Sequence, residues 1–266
     1  MLRISLVDFL NARPLTWGLL KEPPAGVSVS RDLPAECTDK LARGEADVGL
    51  IPSIDYQRIP GLRVVAGLGI AAASEVRSVL LVSNVSREKI RSVSLDPASR
   101  TSAVLTRILL KRCYGLDPRY RESADRADSS PEVSEEADAR LIIGDPALKS
   151  RLNGHVILDL AAEWRAFSGH PFVFAFWAVH ADAATPGVTA LLRRSYETAL
   201  ASFDAMVREG SASTGLSEEV VGDYLRHALH YELNAGDMAG LELFYSLALE
   251  EGLISEARPL EFAAAS

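Results

Sequence analysis

The chain has 266 residues, 48% of them hydrophobic, enough to bury one large core or two modest ones. Its formal charge of −8, with acidic and basic residues interspersed, offers no basic stripe for a phosphate backbone, so no nucleic acid partner is expected. The opening Met1-Leu2-Arg3-Ile4-Ser5-Leu6-Val7-Asp8 is too short an apolar run for a secretory h-region, and no window reaches the about 18 apolar residues of a membrane span. The expectation is a cytoplasmic protein with no membrane partner.

Residues 3–7 alternate and are rich in branched side chains, which predicts a strand meeting the turn Asp8-Phe9-Leu10-Asn11 before a helix that opens near Pro14. Asn11 is either a turn residue or a donor and acceptor facing a cleft, and Arg13 reads as a surface charge. Residues 27–30 give a second strand. Pro34 then starts a helix in which Cys37, Leu41 and Ala42 share a face, and Gly44 ends it. The two cysteines, Cys37 and Cys113, have no Cys or His at ligand spacing and read as buried free thiols.

The run Glu45-Ala46-Asp47-Val48-Gly49-Leu50-Ile51 passes from a helix end into a buried strand that stops at Pro52-Ser53. Residues 76–83 form a long apolar strand in which alternation sets Ser78 on the face of Val76 and Leu80; a lone strand serine is usually structural, and its interest is its position. After a short strand at 92–95 and the turn Asp96-Pro97-Ala98, residues 99–113 predict an amphipathic helix with Leu105, Ile108, Leu109 and Cys113 on its stripe. That helix begins Ser99-Arg100-Thr101-Ser102. Three hydroxyls, an arginine and free backbone N–H groups at one terminus suit an anion, while Ser99 also suits a plain helix cap.

Between 121 and 138 the chain is acidic, with Glu122, Asp125, Asp128, Glu132, Glu135 and Glu136, and reads as a solvated surface stretch. Glu136-Ala137-Asp138-Ala139-Arg140-Leu141-Ile142-Ile143 then repeats the earlier passage into a buried strand, and Gly144-Asp145-Pro146 ends it. Each half so offers two polar turns at the carboxyl ends of buried strands, Asn11 with Ser53 and the 99–102 segment with Asp145, where open α/β sheets place ligands. A second long apolar strand, at 172–180, matches the one at 76–83, and the two read as hinge crossings. The predicted architecture is α/β and two-lobed around a central cleft, lobe one being 1–80 plus 180–266 and lobe two 81–179. Helical spacing fills 188–208, 217–233 and 239–252, with terminators at Gly210, Asn234-Ala235-Gly236 and Gly252.

His227 and His230 share a predicted helix face but have no third ligand nearby, so they read as ordinary helix residues and no metal is expected. Gly67-Leu68-Gly69 lacks the third glycine of a phosphate loop, and no Gly-x-Ser-x-Gly or base-paired cysteine supports a nucleophile.

Taken in order, Val7-Asp8-Phe9-Leu10-Asn11-Ala12-Arg13-Pro14-Leu15, the 44–53 run, Val76-Arg77-Ser78-Val79, Ser99-Arg100-Thr101-Ser102, Ile143-Gly144-Asp145-Pro146-Ala147-Leu148 and the 171–178 segment resemble the chorismate dehydratase family of the futalosine route to menaquinone. Phe9 stands where that family is expected to carry Tyr. The resemblance covers most of the chain and implies a type II periplasmic-binding-protein-like fold. It also implies loss of water from chorismate to give 3-[(1-carboxyvinyl)oxy]benzoate, a lyase reaction with no cofactor. On that reading Asn11, Ser78 and Thr101 are catalytic, and Ser53, Ser99, Arg100, Ser102 and Asp145 join them in holding substrate. Asp145 is either an orienting group or a base, and substrate-assisted proton removal is the favoured chemistry. The alternatives are a cytosolic carboxylate-sensing protein without catalysis and the sister dihydroxynaphthoate synthase activity, whose usual opening is unlike Asn-Ala-Arg-Pro. No oligomeric state follows from the sequence.

Overall fold

The structure is a computed structural model that describes residues 1–122, 137–150 and 152–264. Of the acidic stretch, Asp125, Asp128, Glu132, Glu135 and Glu136 lie outside the described residues. In chain order, β1 (Leu2–Val7) leads through a 3₁₀ turn at Leu10–Ala12 into α1 (Arg13–Lys21), followed by β2 (Val27–Asp32), α2 (Pro34–Ala42) and β3 (Val48–Pro52). A second 3₁₀ turn, Ser53–Arg58, precedes β4 (Leu62–Ala72) and β5 (Val79–Ser83). Then come β6 (Ser92–Leu95), α3 (Arg100–Tyr114), β7 (Arg119–Glu122), β8 (Ala139–Ile143), α4 (Asp145–Lys149), β9 (Val156–Asp159), α5 (Leu160–Ser168) and β10 (Phe172–His180). The C-terminal part holds α6 (Pro186–Ala201), α7 (Phe203–Thr214), α8 (Glu218–Asp223), a π-helical turn at Tyr224–Ala228, β11 (His230–Glu232) and α9 (Ala235–Glu250).

Two sheets organise these elements, one ordered β11-β4-β10-β3-β1-β2 and the other β7-β6-β8-β5-β9. Each contains the same parallel triplet, β3-β1-β2 in the first and β8-β6-β7 in the second, flanked by an antiparallel strand. That flanking strand is exchanged: β5 follows the first sheet's strands but pairs with β8, and β10 follows the second's but pairs with β3. The chain so passes between the sheets twice, after β4 and before β10. Within the triplets β3 and β8 are buried along their whole length, whereas the edge strands β2 and β7 stay partly exposed.

Several elements differ from the sequence reading; Gly210, expected to end a helix, lies inside α7, and α9 opens at Ala235 rather than 239. The strand expected over 76–83 starts at Val79, because Arg77 takes a left-handed conformation (φ 61°) that no strand accommodates; Ser78 precedes the strand rather than lying within it. The helix expected over 188–208 breaks at Ser202 into α6 and α7. The stretch 217–233 is a short helix, a π-helical turn and a strand, so His227 and His230 do not share a helix face; His230 Nε2 meets Asp237 Oδ1 at 2.7 Å. The 11-residue β4, with Gly67 and Gly69 inside it, escapes a periodicity search. Around it the core closes on aromatic edges: Trp164 against Phe172 (ring centroids 5.5 Å) and Phe172 against Phe244 (5.0 Å), all three fully buried or nearly so.

Candidate active site

The carboxyl ends of β1 and β3 in one sheet and of β6 and β8 in the other face a common cleft of about 620 Å³, its open mouth included. This is where parallel strands leave their side of an α/β sheet unfilled. Its walls are apolar, with Phe9, Ile70, Phe174 and Leu229, and its polar atoms come from Asn11, Ser78, Ser99, Thr101 and Ser102. Among the described residues, no acid, base or cation contributes a side chain to this lining.

Asn11 sits in the 3₁₀ turn after β1, and its Oδ1 is buried with no protein partner among the described residues. A buried carbonyl oxygen in that condition carries a desolvation cost that a ligand donor would relieve. Ser78 closes the crossing into the second sheet; its carbonyl accepts from Gly144 N–H at 2.7 Å, and its Oγ receives the hydroxyl proton of Tyr224 at 2.7 Å. Ser99 occupies the N-cap position of α3, yet its side chain makes no capping bond, and the carbonyl alone accepts from Ala103 N–H. The first N–H groups of α3 have no intrahelical acceptor, so the terminus carries partial positive charge beside the cleft.

The structure sends three of the expected substrate-binding groups elsewhere. Arg100 turns away from the cleft and binds Asp39 Oδ1 (3.0 Å) and Asp55 Oδ2 (3.2 Å), both on elements of the first sheet's side. Burial pushes the Asp55 carboxyl above its ordinary range, with the Thr38 hydroxyl and Arg100 pulling it back. Ser53 is fully buried and donates to Val173 C=O at 2.8 Å rather than lining the cleft. Asp145 accepts from Leu10 N–H at 3.1 Å, and only its neighbour Gly144 reaches the wall. Burial raises the Asp145 carboxyl as well, offset by the Leu10 N–H. Thr101 does both jobs, since it lines the cleft while its Oγ1 accepts from Ile54 N–H at 3.2 Å. These bonds tie the polar ends of the second sheet onto the first.

Two sheets with exchanged flanking strands and a cleft between their strand ends define a periplasmic-binding-protein-like molecule. Solved structures agree on the fold. A protein from Archaeoglobus fulgidus superposes with a TM-score of 0.77 at 18% identity, covering 95% of this chain and 98% of that one. The periplasmic aliphatic sulphonate binding protein SsuA from Escherichia coli superposes at 0.66 with 17% identity, covering 100% and 94%.

The chain belongs to the menaquinone biosynthesis family, whose model matches residues 2–250. The chorismate dehydratase of Thermus thermophilus is 26% identical over 260 residues, 91% of this chain and 93% of that protein. The chorismate dehydratase of Campylobacter jejuni is 30% identical over 175 residues, 64% of this chain and 63% of that protein. Among the described residues no helix is long and apolar enough to cross a membrane, and no three His, Cys, Asp or Glu side chains gather as a metal site.

Proposed function

We propose that this protein dehydrates chorismate to 3-[(1-carboxyvinyl)oxy]benzoate. Family membership and the two chorismate dehydratase relatives support the substrate, and the composition of the cleft supports the mechanism. The observation that carries it is a wall of hydroxyl, amide and helix N-terminal donors without any titratable side chain among the described residues. Such a wall binds a carboxylate and stabilises negative charge but cannot take a proton.

Removing the ring C3 proton spreads negative charge through the adjacent double bond into the ring carboxylate, and the C4 hydroxyl then leaves as the ring becomes aromatic. Donors from Thr101, Ser102 and the first turn of α3 meet that charge where it develops, as an oxyanion hole does. Asn11 and Ser78 hold the enolpyruvyl side or the departing hydroxyl. The enolpyruvyl carboxylate of the substrate takes the C3 proton, so the protein supplies orientation and electrostatics. Ser53, Arg100 and Asp145 act outside the cleft, fixing the segments that carry these donors.

Purified protein incubated with chorismate and followed by mass spectrometry is expected to form a product lighter by one water. Binding of chorismate without product would favour the reading of a carboxylate-binding protein instead.

A further inference from the structure

Ser78 is reached from behind by a residue that the cleft itself does not contain. The segment 73–78 carries the chain from β4 to β5, and its end is held by several polar contacts. Arg77 is the one non-glycine with positive φ among the described residues, held there because the Asp159 carboxylate accepts from both Val76 N–H (3.0 Å) and Arg77 N–H (2.7 Å). The Arg77 side chain pairs with Asp223 at 2.7 Å, and the next residue on each side of this contact forms the Ser78–Tyr224 bond. Two consecutive residues of the crossing so meet two consecutive residues at the end of α8, where the helix widens into its π-helical turn. Such turns recur where a helix must aim a side chain at a functional position. The same turn runs on to Leu229, which lines the cleft.

The Tyr224 ring and hydroxyl are fully buried, and burial keeps the phenol protonated far above neutral pH. Its hydroxyl donates a hydrogen bond to Ser78 Oγ. A serine oxygen that accepts from one side has its own proton free for the other, and a hydroxyl that accepts is a better donor in turn.

We propose that Tyr224 is a positioning residue for Ser78, fixing that serine as a hydrogen-bond donor to the ligand in the cleft. Its kinetic consequence rests on the chorismate reading above; its structural consequence does not. Tyr224→Phe removes the bond and keeps the ring. The Ser78 hydroxyl then chooses between the cleft and other acceptors, so kcat on chorismate is expected to fall about tenfold while KM moves less than about twofold. In the Ser78→Ala background the same change should cost almost nothing more, because the proton it directs is gone. Equal multiplicative losses in single and double variants would show that Tyr224 acts by general packing, and would overturn the proposal.

A crystal structure of Tyr224→Phe supplies the readout that needs no turnover. Ser78 is expected there in a changed or divided rotamer with the 73–78 backbone retained, and an unchanged single rotamer would also overturn the assignment. Wild-type protein inactive on chorismate would defeat the reaction proposed above while leaving this rotamer test to decide the role of Tyr224.

Discussion

Ser102 is the sharpest single-residue probe of the charge-stabilising role proposed for α3. Its hydroxyl lines the cleft, whereas Thr101 Oγ1 also accepts from Ile54 N–H, so a change at Thr101 mixes catalysis with docking of the helix. Ser102→Ala is expected to lower kcat on the order of 10²-fold with a smaller effect on KM, because the donor matters most once charge has developed; steady-state kinetics on chorismate check it. Asp145→Asn tests the base. The amide oxygen can still accept from Leu10 N–H, so substantial turnover should remain, and near-complete loss in a folded variant with binding intact would assign the proton to Asp145. The same variant has a stability signature. A carboxyl raised by burial binds its proton more tightly when folded, so stability falls as pH rises from the ordinary carboxylate range through the raised value. Asp145→Asn should flatten that decline in denaturant titrations between acid and neutral pH. At this scale the cleft positions of Asn11, Thr101 and Ser102 were legible because each follows a strand end in a short polar motif, whereas Ser78, read as a strand residue, reaches the cleft from the crossing just before β5. Tyr224 was not legible, since its partner Ser78 is 146 residues away, and nothing local marks a buried tyrosine as part of a site. Arg100 was misread for the same reason, its two carboxylates coming from separate segments.

Elements were legible where one period dominated: β6 and β10 fall where alternation and apolar runs place them, α2 opens at Pro34 and closes before Gly44, and α3 covers the stripe expected over 99–113. β4 was hidden by its glycines, and the structure shows why they are there. Gly67 has φ 73°, and a side chain at Gly69 would meet Ala175 C=O on the adjacent β10 at 2.7 Å and a Leu233 methyl at 2.6 Å. The β4–β10 ladder slips register on either side of this contact, between Val173 and Ala175 and between Phe176 and Ala178. Gly69 therefore serves close strand approach, not a phosphate. Gly69→Ala should destabilise the protein by about 1–3 kcal/mol through forced displacement of backbone and Leu233, a loss visible as a lower midpoint in urea. A neutral result would mean that the strands part at little cost, which the buried ladder argues against. The break between α6 and α7 was illegible for a different reason: both helices are amphipathic, and Ser202 alone interrupts them.

On the scale of the whole molecule, the two crossings and the ties over the cleft pose one question, whether the sheets part to admit substrate. We propose that the two sheets move as lobes, the strands of the first lying within 2–72 and 172–232 and those of the second within 79–159, so that β10 belongs to lobe one rather than to the expected 81–179, and that Arg100 is a polar tie between them. It leaves the α3 terminus of one lobe to bind Asp39 and the fully buried Asp55 of the other. With Arg100→Met, Asp55 keeps the Thr38 hydroxyl and a contact to the largely exposed Arg58 at 3.5 Å, and a buried carboxylate so poorly compensated is costly. The protein can meet that cost by protonating Asp55 or by opening to hydrate it. Protonation makes the stability loss pH-dependent. It should reach on the order of 3 kcal/mol at alkaline pH and shrink towards acid, where the carboxyl is neutral with or without Arg100. Opening makes the loss visible in shape. In small-angle scattering at neutral pH, ligand-free Arg100→Met should show a larger radius of gyration than the wild type, and saturating chorismate should bring it back, because on the proposed function it would bridge the same two surfaces. Adding Asp55→Asn to Arg100→Met should return most of the stability and the compact ligand-free form together, since the buried charge that drives opening is then gone. Identical scattering from variant and wild type would show that apolar packing alone holds the sheets together and that Arg100 is only the counter-charge of Asp55.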